Sequence, residues 1–185
     1  MIPILTITRH NLFYINIRII VAYWVISHLS WLLFNHIGVL PMSIWPAAAI
    51  EVLAAFYFGW KIAPALFLGS VLANHLSLGG QLPYALTIGL TNVIGPLVGA
   101  YLVRQLITIE IKIKSYSILV LSLIILILLI PAFAATGGVG FQIILGISAP
   151  EHFFLNWSRW AIAHSIGIIV FALPVFIIQY IRKLF

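Results

Sequence analysis

The chain has no cysteine and no aspartate, and its only acids are three glutamates, Glu51, Glu110 and Glu151. Without cysteine there can be no disulfide framework, thiolate nucleophile or cysteine zinc site. Without aspartate there can be no Ser-His-Asp set. GxSxG, P-loop and GxGxxG patterns are missing too, and no second acid lies within an apolar run to pair with Glu51, so no complete catalytic set is visible and no enzyme is expected. Charge of either sign is scarce, at 6% of residues, where a soluble domain carries about 25%. Hydrophobic residues make up 64% of the chain and the mean hydropathy is +1.22. This composition describes one integral membrane domain over residues 1–185, with no room for a separate soluble one.

A membrane span needs about 20 mainly apolar residues. Six segments qualify, at roughly 18–38, 43–60, 62–78, 83–104, 116–136 and 157–181. The runs are too long and continuous for barrel strands, so the expected fold is an all-α polytopic bundle of about six transmembrane helices. Pro41, Pro83 and Pro150 sit at connections, and Gly79-Gly80 marks a turn. Residues 136–150 are too short to span again and read as a short interfacial or re-entrant helix on the outer side. Arg9 and Arg18 precede a first apolar run that lacks a cleavage site, so it reads as a retained signal anchor. Pro96 and Pro131 should kink their helices or free a carbonyl. Ala65, Gly69 and Ala73, and the pair Gly95 and Gly99, offer small-residue faces for close helix packing.

The net charge of +6 would hint at nucleic acid in a soluble protein, but here it follows the positive-inside rule, and no nucleic-acid partner is expected. With a cytoplasmic N-terminus, Arg9, Arg18, Lys61, Arg104, Lys112, Lys114, Arg182 and Lys183 lie inside and Arg159 alone lies outside. Both termini are then cytoplasmic, and the location is the cell inner membrane. Trp45, Trp60, Tyr84, Trp157 and Tyr180 suit interfacial aromatic belts.

Glu51 is the one acid in the run from Ser43 to Trp60, and its helical neighbours Ala47, Ala48, Ala54 and Ala55 are all alanine. Such a face accepts a close helix neighbour, and a carboxylate directed at lipid would be costly, so it should meet protein or a wet cavity. At 1.5 Å per residue, Glu51, Asn92, His164 and His28 fall in a belt about 10–15 Å below the outer surface. Asn74 and His75 lie shallower. The cytoplasmic half has almost no polar groups, so a pocket reached from the outer side is expected. Glu51, Asn74, Asn92, Trp160 and His164 are its candidate ligand-binding residues, with His28, His75, Arg159 and Trp45 as secondary candidates. Each has a plainer reading as packing or interhelical hydrogen bonding. Metal or haem at His28, His75 or His164 is disfavoured, since these histidines lack ligand spacing; no cofactor is expected.

Three segments together resemble the first family of MASE membrane-associated sensor domains. Trp45-Pro46 opens an Ala-rich helix that ends in Phe58-Gly59, followed by Lys61 and Pro64, with Gly69-Ser70 and Asn74 beyond. Asn92 leads to Gly99-Ala100-Tyr101-Leu102-Val103-Arg104. Arg159-Trp160, Gly167 and Pro174 fit a late Trp-rich helix. The resemblance covers roughly residues 40–176. Three positions depart from the family pattern: Glu51 replaces a small or apolar residue, His164 stands where Asp is common, and Gly95 lies near a usual acid.

The resemblance implies a sensory module that detects a small extracytoplasmic or membrane-borne molecule and relays it to a histidine kinase or diguanylate cyclase, as a stand-alone or truncated member. The lipid bilayer and a second copy of the chain are the other expected partners. Two alternatives stand beside it: a substrate-binding subunit or small carrier of a membrane transporter, and a structural membrane protein without a ligand.

Overall fold

The computed structural model describes residues 9–34, 44–108 and 115–181. The described residues are helical throughout, with no strand. The helices are α1 (Arg9–Phe34), α2 (Ala47–Phe58), α3 (Ala63–Leu72), α4 (Leu82–Thr108), α5 (Ser115–Ile124), α6 (Ile130–Ile144), α7 (Phe153–Gly167) and α8 (Leu173–Ile181). Wide π-type turns at Ile125–Leu129 and Ile168–Ala172 join α5 to α6 and α7 to α8. Among the described residues five helical stretches are long and apolar enough to cross a membrane: His10–Phe34, Ala47–Ser77, Leu82–Ile107, Ser117–Ile144 and Pro150–Ile178.

The second stretch is doubled back on itself. Glu51 and Ser70 would be about 28 Å apart on a straight helix. Instead both reach the same small group: the Tyr23 hydroxyl donates to Glu51 Oε1, and Asn92 Nδ2 donates to the Tyr23 hydroxyl at 3.3 Å and to Ser70 Oγ at 3.0 Å. The reversal occurs in the short 3-10 turn Gly59–Ile62, where Gly59 has φ 62° and ψ −146°. Few residues other than glycine adopt that backbone, and Pro64 opens the return helix at a position that needs no N–H. The five helices therefore make six limbs, as the apolar runs predict. Asn16 on α1 donates to the carbonyl of Lys61 at 3.5 Å, and Phe56 packs edge-on against Phe176 of α8. The described chain thus begins and ends at the end of the bundle that carries Lys61.

Small residues set the closest crossings. Ala47, Ala48, Ala54 and Ala55 are all buried, so the face around Glu51 meets protein, as expected. A Cβ on Gly69 would lie 2.9 Å from Tyr23 Cβ, and one on Gly99 would collide with the end of the Ile130 side chain. Pro131 has no N–H for the carbonyl four residues earlier, that of Ile127, and the Ser165 hydroxyl lies 2.7 Å from that oxygen.

One expected element is corrected. Thr136 to Ile144 form no separate interfacial helix but continue α6. Two glycines of this segment are used for close approach. A Cβ on Gly137 would lie 2.9 Å from Thr91 Cβ and overlap its methyl group, and one on Gly138 would lie 2.9 Å from the Trp160 ring. The first helix is already formed at Arg9, well before the expected boundary. The outer end of that span, together with Pro41, Lys112, Lys114, Arg182 and Lys183, lies outside the described residues.

Candidate functional site

Away from the Lys61 end, α1, the π-type turn Ala73–Ser77 that follows α3, and α4, α6 and α7 surround a cavity of about 450 Å³. Asn92 reaches its deep side and is 1% exposed. Trp45, Trp160, Ala163 and His164 form one wall, and Trp31, Asn74 and Leu78 another. Tyr84 and Gln142 close a third side through a 2.8 Å hydrogen bond from Gln142 Nε2 to the Tyr84 hydroxyl. Gly80, Ile147 and Ser148, in the connections between helices, contribute to its outer part. Among the described residues no lysine, arginine, aspartate or glutamate lines it.

The Trp wall is built by local sequence. Trp45 immediately precedes Pro46, which starts α2, and its backbone N–H donates to the carbonyl of Ala163 at 3.0 Å. That bond docks the start of α2 on α7. Trp160 and His164 are four apart on α7 and so share a face. Their rings stack with centroids 5.9 Å apart and planes at 16°, and Trp45 lies 6.1 Å from the same imidazole. His164 is therefore held between two indoles. Its Nδ1 lies 3.1 Å from the carbonyl oxygen of Trp160. A carbonyl only accepts, so Nδ1 carries the proton, and Nε2 is the lone-pair acceptor of the neutral ring.

Several buried polar atoms of this region have no partner within the protein: Trp45 Nε1, Trp160 Nε1, His164 Nε2 and Asn92 Oδ1. Buried polar groups are nearly always hydrogen-bonded, because leaving one unmet costs about 1–3 kcal/mol. These four atoms have almost no accessible surface, so they lie in the packed shell around the cavity and not on its free surface.

Glu51 lies behind the cavity rather than in its wall. It is 1% exposed, bonded through Oε1 to Tyr23, with Oε2 unpartnered. Tyr23 is fully buried and joins Glu51 to Asn92, so the acid communicates with the cavity through two side chains. Asn74 donates to the backbone oxygen of Ser70 at 2.9 Å and lines the opposite wall.

The structure brings Asn74, Asn92, Trp160, His164 and Trp45 together and keeps the other candidates apart. His28 lies between Trp24 and Trp31 with Nδ1 3.2 Å from Ser77 Oγ. His75 is exposed with Nδ1 2.8 Å from the Gly80 carbonyl, and Arg159 is exposed. Among the described residues no three of His, Cys, Asp or Glu gather as a metal-binding group. Sequence reasoning missed Tyr23, Ser70 and Gln142. The signal for Tyr23 was a hydroxyl at mid-span, level with Glu51, in a helix otherwise read for its histidine.

The pattern of one protein family, MASE1, matches residues 15–185 of the chain. No curated protein and no solved structure matches it.

Proposed function

The chain belongs to the MASE1 family of membrane-associated sensory domains, and on that premise we propose that it binds a small molecule in the cavity walled by Trp45, Trp160 and His164 and passes the event to a cytoplasmic signalling partner. The partner is a histidine kinase or a diguanylate cyclase, and the membrane is the cell inner membrane. The observation that carries this reading is the cavity of about 450 Å³ that Asn74, Asn92, Gln142, Trp160 and His164 line at the end of the bundle away from Lys61.

The bundle offers a physical route from cavity to cytoplasmic face. The cavity wall includes Trp45, at the start of α2, and Asn74, at the far end of the returning limb. The two limbs join at Gly59–Ile62, where Arg104 of α4 donates to the Phe56 carbonyl at 3.3 Å. Lys61 and Arg104 share that end, which the positive-inside rule makes cytoplasmic. A molecule that favours one spacing of the wall shifts the limbs only to the extent that it binds the two packings differently. Binding rather than catalysis is the proposed action, without a resident metal or haem: the cavity wall offers imidazole, indole, amide and hydroxyl groups but no acid, thiol or lysine.

Native mass spectrometry of the chain, released gently from its own membrane, tests the reading. Co-release of a kinase or cyclase is expected. Co-release of an ATPase pair would replace the sensor by a transport subunit.

A further inference from the structure

Glu51 lines no cavity, so the sensory reading above gives it no task. It is 1% exposed, and its helical neighbours Ala47, Ala48, Ala54 and Ala55 are buried with it. Oε1 accepts from the Tyr23 hydroxyl, and Oε2 has no partner.

Among the described residues, no element packed on α2 brings a compensating charge. α1 presents the Tyr23 hydroxyl; its His10 and Arg18 are exposed, and its His28 faces Ser77. α4 presents Asn92, behind Tyr23, and Asn92 in turn holds Ser70 of α3. The one cation of α4, Arg104, is bound to the Phe56 carbonyl, five residues or about 7.5 Å along α2. α7 carries His164, whose Nδ1 is bonded to the Trp160 carbonyl and whose ring lies between two indoles. Arg159 on the same helix is exposed, as is Lys61 in the turn Gly59–Ile62. The turn Ile168–Ala172 has no ionisable side chain.

An ionised Glu51 would therefore be a buried charge met by one hydroxyl. Such a charge is far costlier than the single unmet O–H of the neutral acid. An acid within a span that faces neither lipid nor a cation calls for a role of its own.

We propose that Glu51 is an intramembrane proton-binding site. In the packed bundle it is a neutral carboxylic acid with the proton on Oε2, since Oε1 is the acceptor for Tyr23. It gives up that proton only when α1 and α2 separate enough for water to reach Oε2. Proton occupancy and helix packing are then linked in both directions. A signal that loosens this contact releases a proton, and a bundle that has lost the proton closes less readily. The ligand of this site is the proton, whatever molecule the cavity takes.

The scarcity of acids makes the test clean, because the chain has only three glutamates, Glu51, Glu110 and Glu151. Glutamate labelled with carbon-13 at the side-chain carboxyl is incorporated, and the chain is read by NMR in unlabelled lipid nanodiscs. The carboxyl carbon resonates at different positions as acid and as carboxylate. At neutral pH one signal is expected at the acid position, and Glu51→Gln should remove it. Where Glu51→Gln fails to fold, the double variant Glu110→Gln with Glu151→Gln leaves Glu51 as the one side-chain acid and should keep that signal alone. As the pH is then raised, hydrogen exchange of the α2 amides, corrected for its intrinsic pH dependence, should increase where the Glu51 signal moves to the carboxylate position. A Glu51 signal already at the carboxylate position at neutral pH overturns the inference. So does ionisation that leaves α2 exchange unchanged. The sensory reading fails separately, by the identity of the co-released protein.

Discussion

The α-carbon of Gly167 and the carbonyl group of Trp45 meet with no space for a side chain: a methyl group on Gly167 would lie 2.7 Å from the carbonyl carbon and overlap its oxygen. Both sides of the contact are backbone, and the approach is fixed one turn earlier by the bond from the Trp45 N–H to Ala163. Neither side can yield by turning a rotamer. Gly167→Ala is therefore expected to destabilise the bundle by about 3 kcal/mol, the upper range for overpacking. Gly140, also in a helix interior, has nothing within 4 Å of its would-be Cβ. Gly140→Ala should change stability by less than about 1 kcal/mol, and in the stabilising direction, because alanine is the better helix former. Thermal unfolding of the two variants in nanodiscs checks the contrast; equal effects would show that the α2–α7 approach is looser than described.

The turn that reverses α2 into α3 depends on a residue from another helix. Arg104 donates to the Phe56 carbonyl at the open end of α2, with its guanidinium 3.4 Å from where a Gly59 side chain would begin. Cationic donors at a helix C-terminus satisfy its free carbonyls and its dipole. Arg104→Met should cost about 2 kcal/mol, as a charged hydrogen bond is lost. Arg104→Lys should restore only part of that, because lysine lacks the planar fork. Gly59→Ala should cost about 1–3 kcal/mol through its positive φ. Denaturant titration in mixed micelles measures all three; an Arg104→Met variant as stable as wild type would remove Arg104 from the turn.

Ser165 and Pro131 form a pair that can be tested as a cycle. The Ser165 hydroxyl approaches the Ile127 carbonyl at 2.7 Å and the Ala161 carbonyl, on its own helix, at 2.9 Å. Ser165→Ala should cost about 1–2 kcal/mol by leaving the Ile127 oxygen unmet. In a Pro131→Ala background, residue 131 regains an N–H for that oxygen, and the same substitution should cost less than about 0.5 kcal/mol. Contacting residues are expected to couple in this way. Strict additivity in a double-mutant cycle would mean that Ser165 serves only Ala161.

Much of this architecture was legible in the sequence, and the exceptions share a cause. Apolar runs and prolines located six limbs, because lipid leaves the backbone no alternative to helix. Depth counted along each helix brought Asn92 and His164 to one level, with Asn74 somewhat shallower, and all three line one cavity. Depth gives no azimuth, however. Glu51 sits close to their level yet faces Tyr23, and His28 faces Ser77. Glycine was the other ambiguity. The segment from Thr136 read as a separate short helix, but its Gly137 and Gly138 are where Thr91 and Trp160 press on α6. A glycine that breaks a helix and one that admits a neighbour look alike until the neighbour is known. Tyr23 escaped notice because a tyrosine in an apolar helix resembles packing; only its contacts identify it as the junction.

That junction yields the sharpest prediction. Tyr23 donates its single proton to Glu51 and accepts from Asn92, while Asn92 also holds Ser70. All four side chains are buried. Tyr23→Phe keeps the ring and strands both neighbours at once, so it should cost about 2–3 kcal/mol, more than one ordinary hydrogen bond contributes. Glu51→Gln keeps an acceptor for the Tyr23 hydroxyl and should cost only about 1 kcal/mol. Combined, the two should cost less than their sum, since the second removes an interaction already lost. The readout that separates architecture from signalling is binding at the cavity. Glu51 does not line it, so Glu51→Gln should leave the affinity for a small molecule bound in the cavity within about threefold, less than the effect of one hydrogen bond. His164→Ala removes a wall residue and should lower that affinity at least about tenfold. If instead Glu51→Gln abolishes binding while His164→Ala does not, the molecule is recognised at the carboxyl behind Tyr23, and the cavity between the tryptophans is only its entrance.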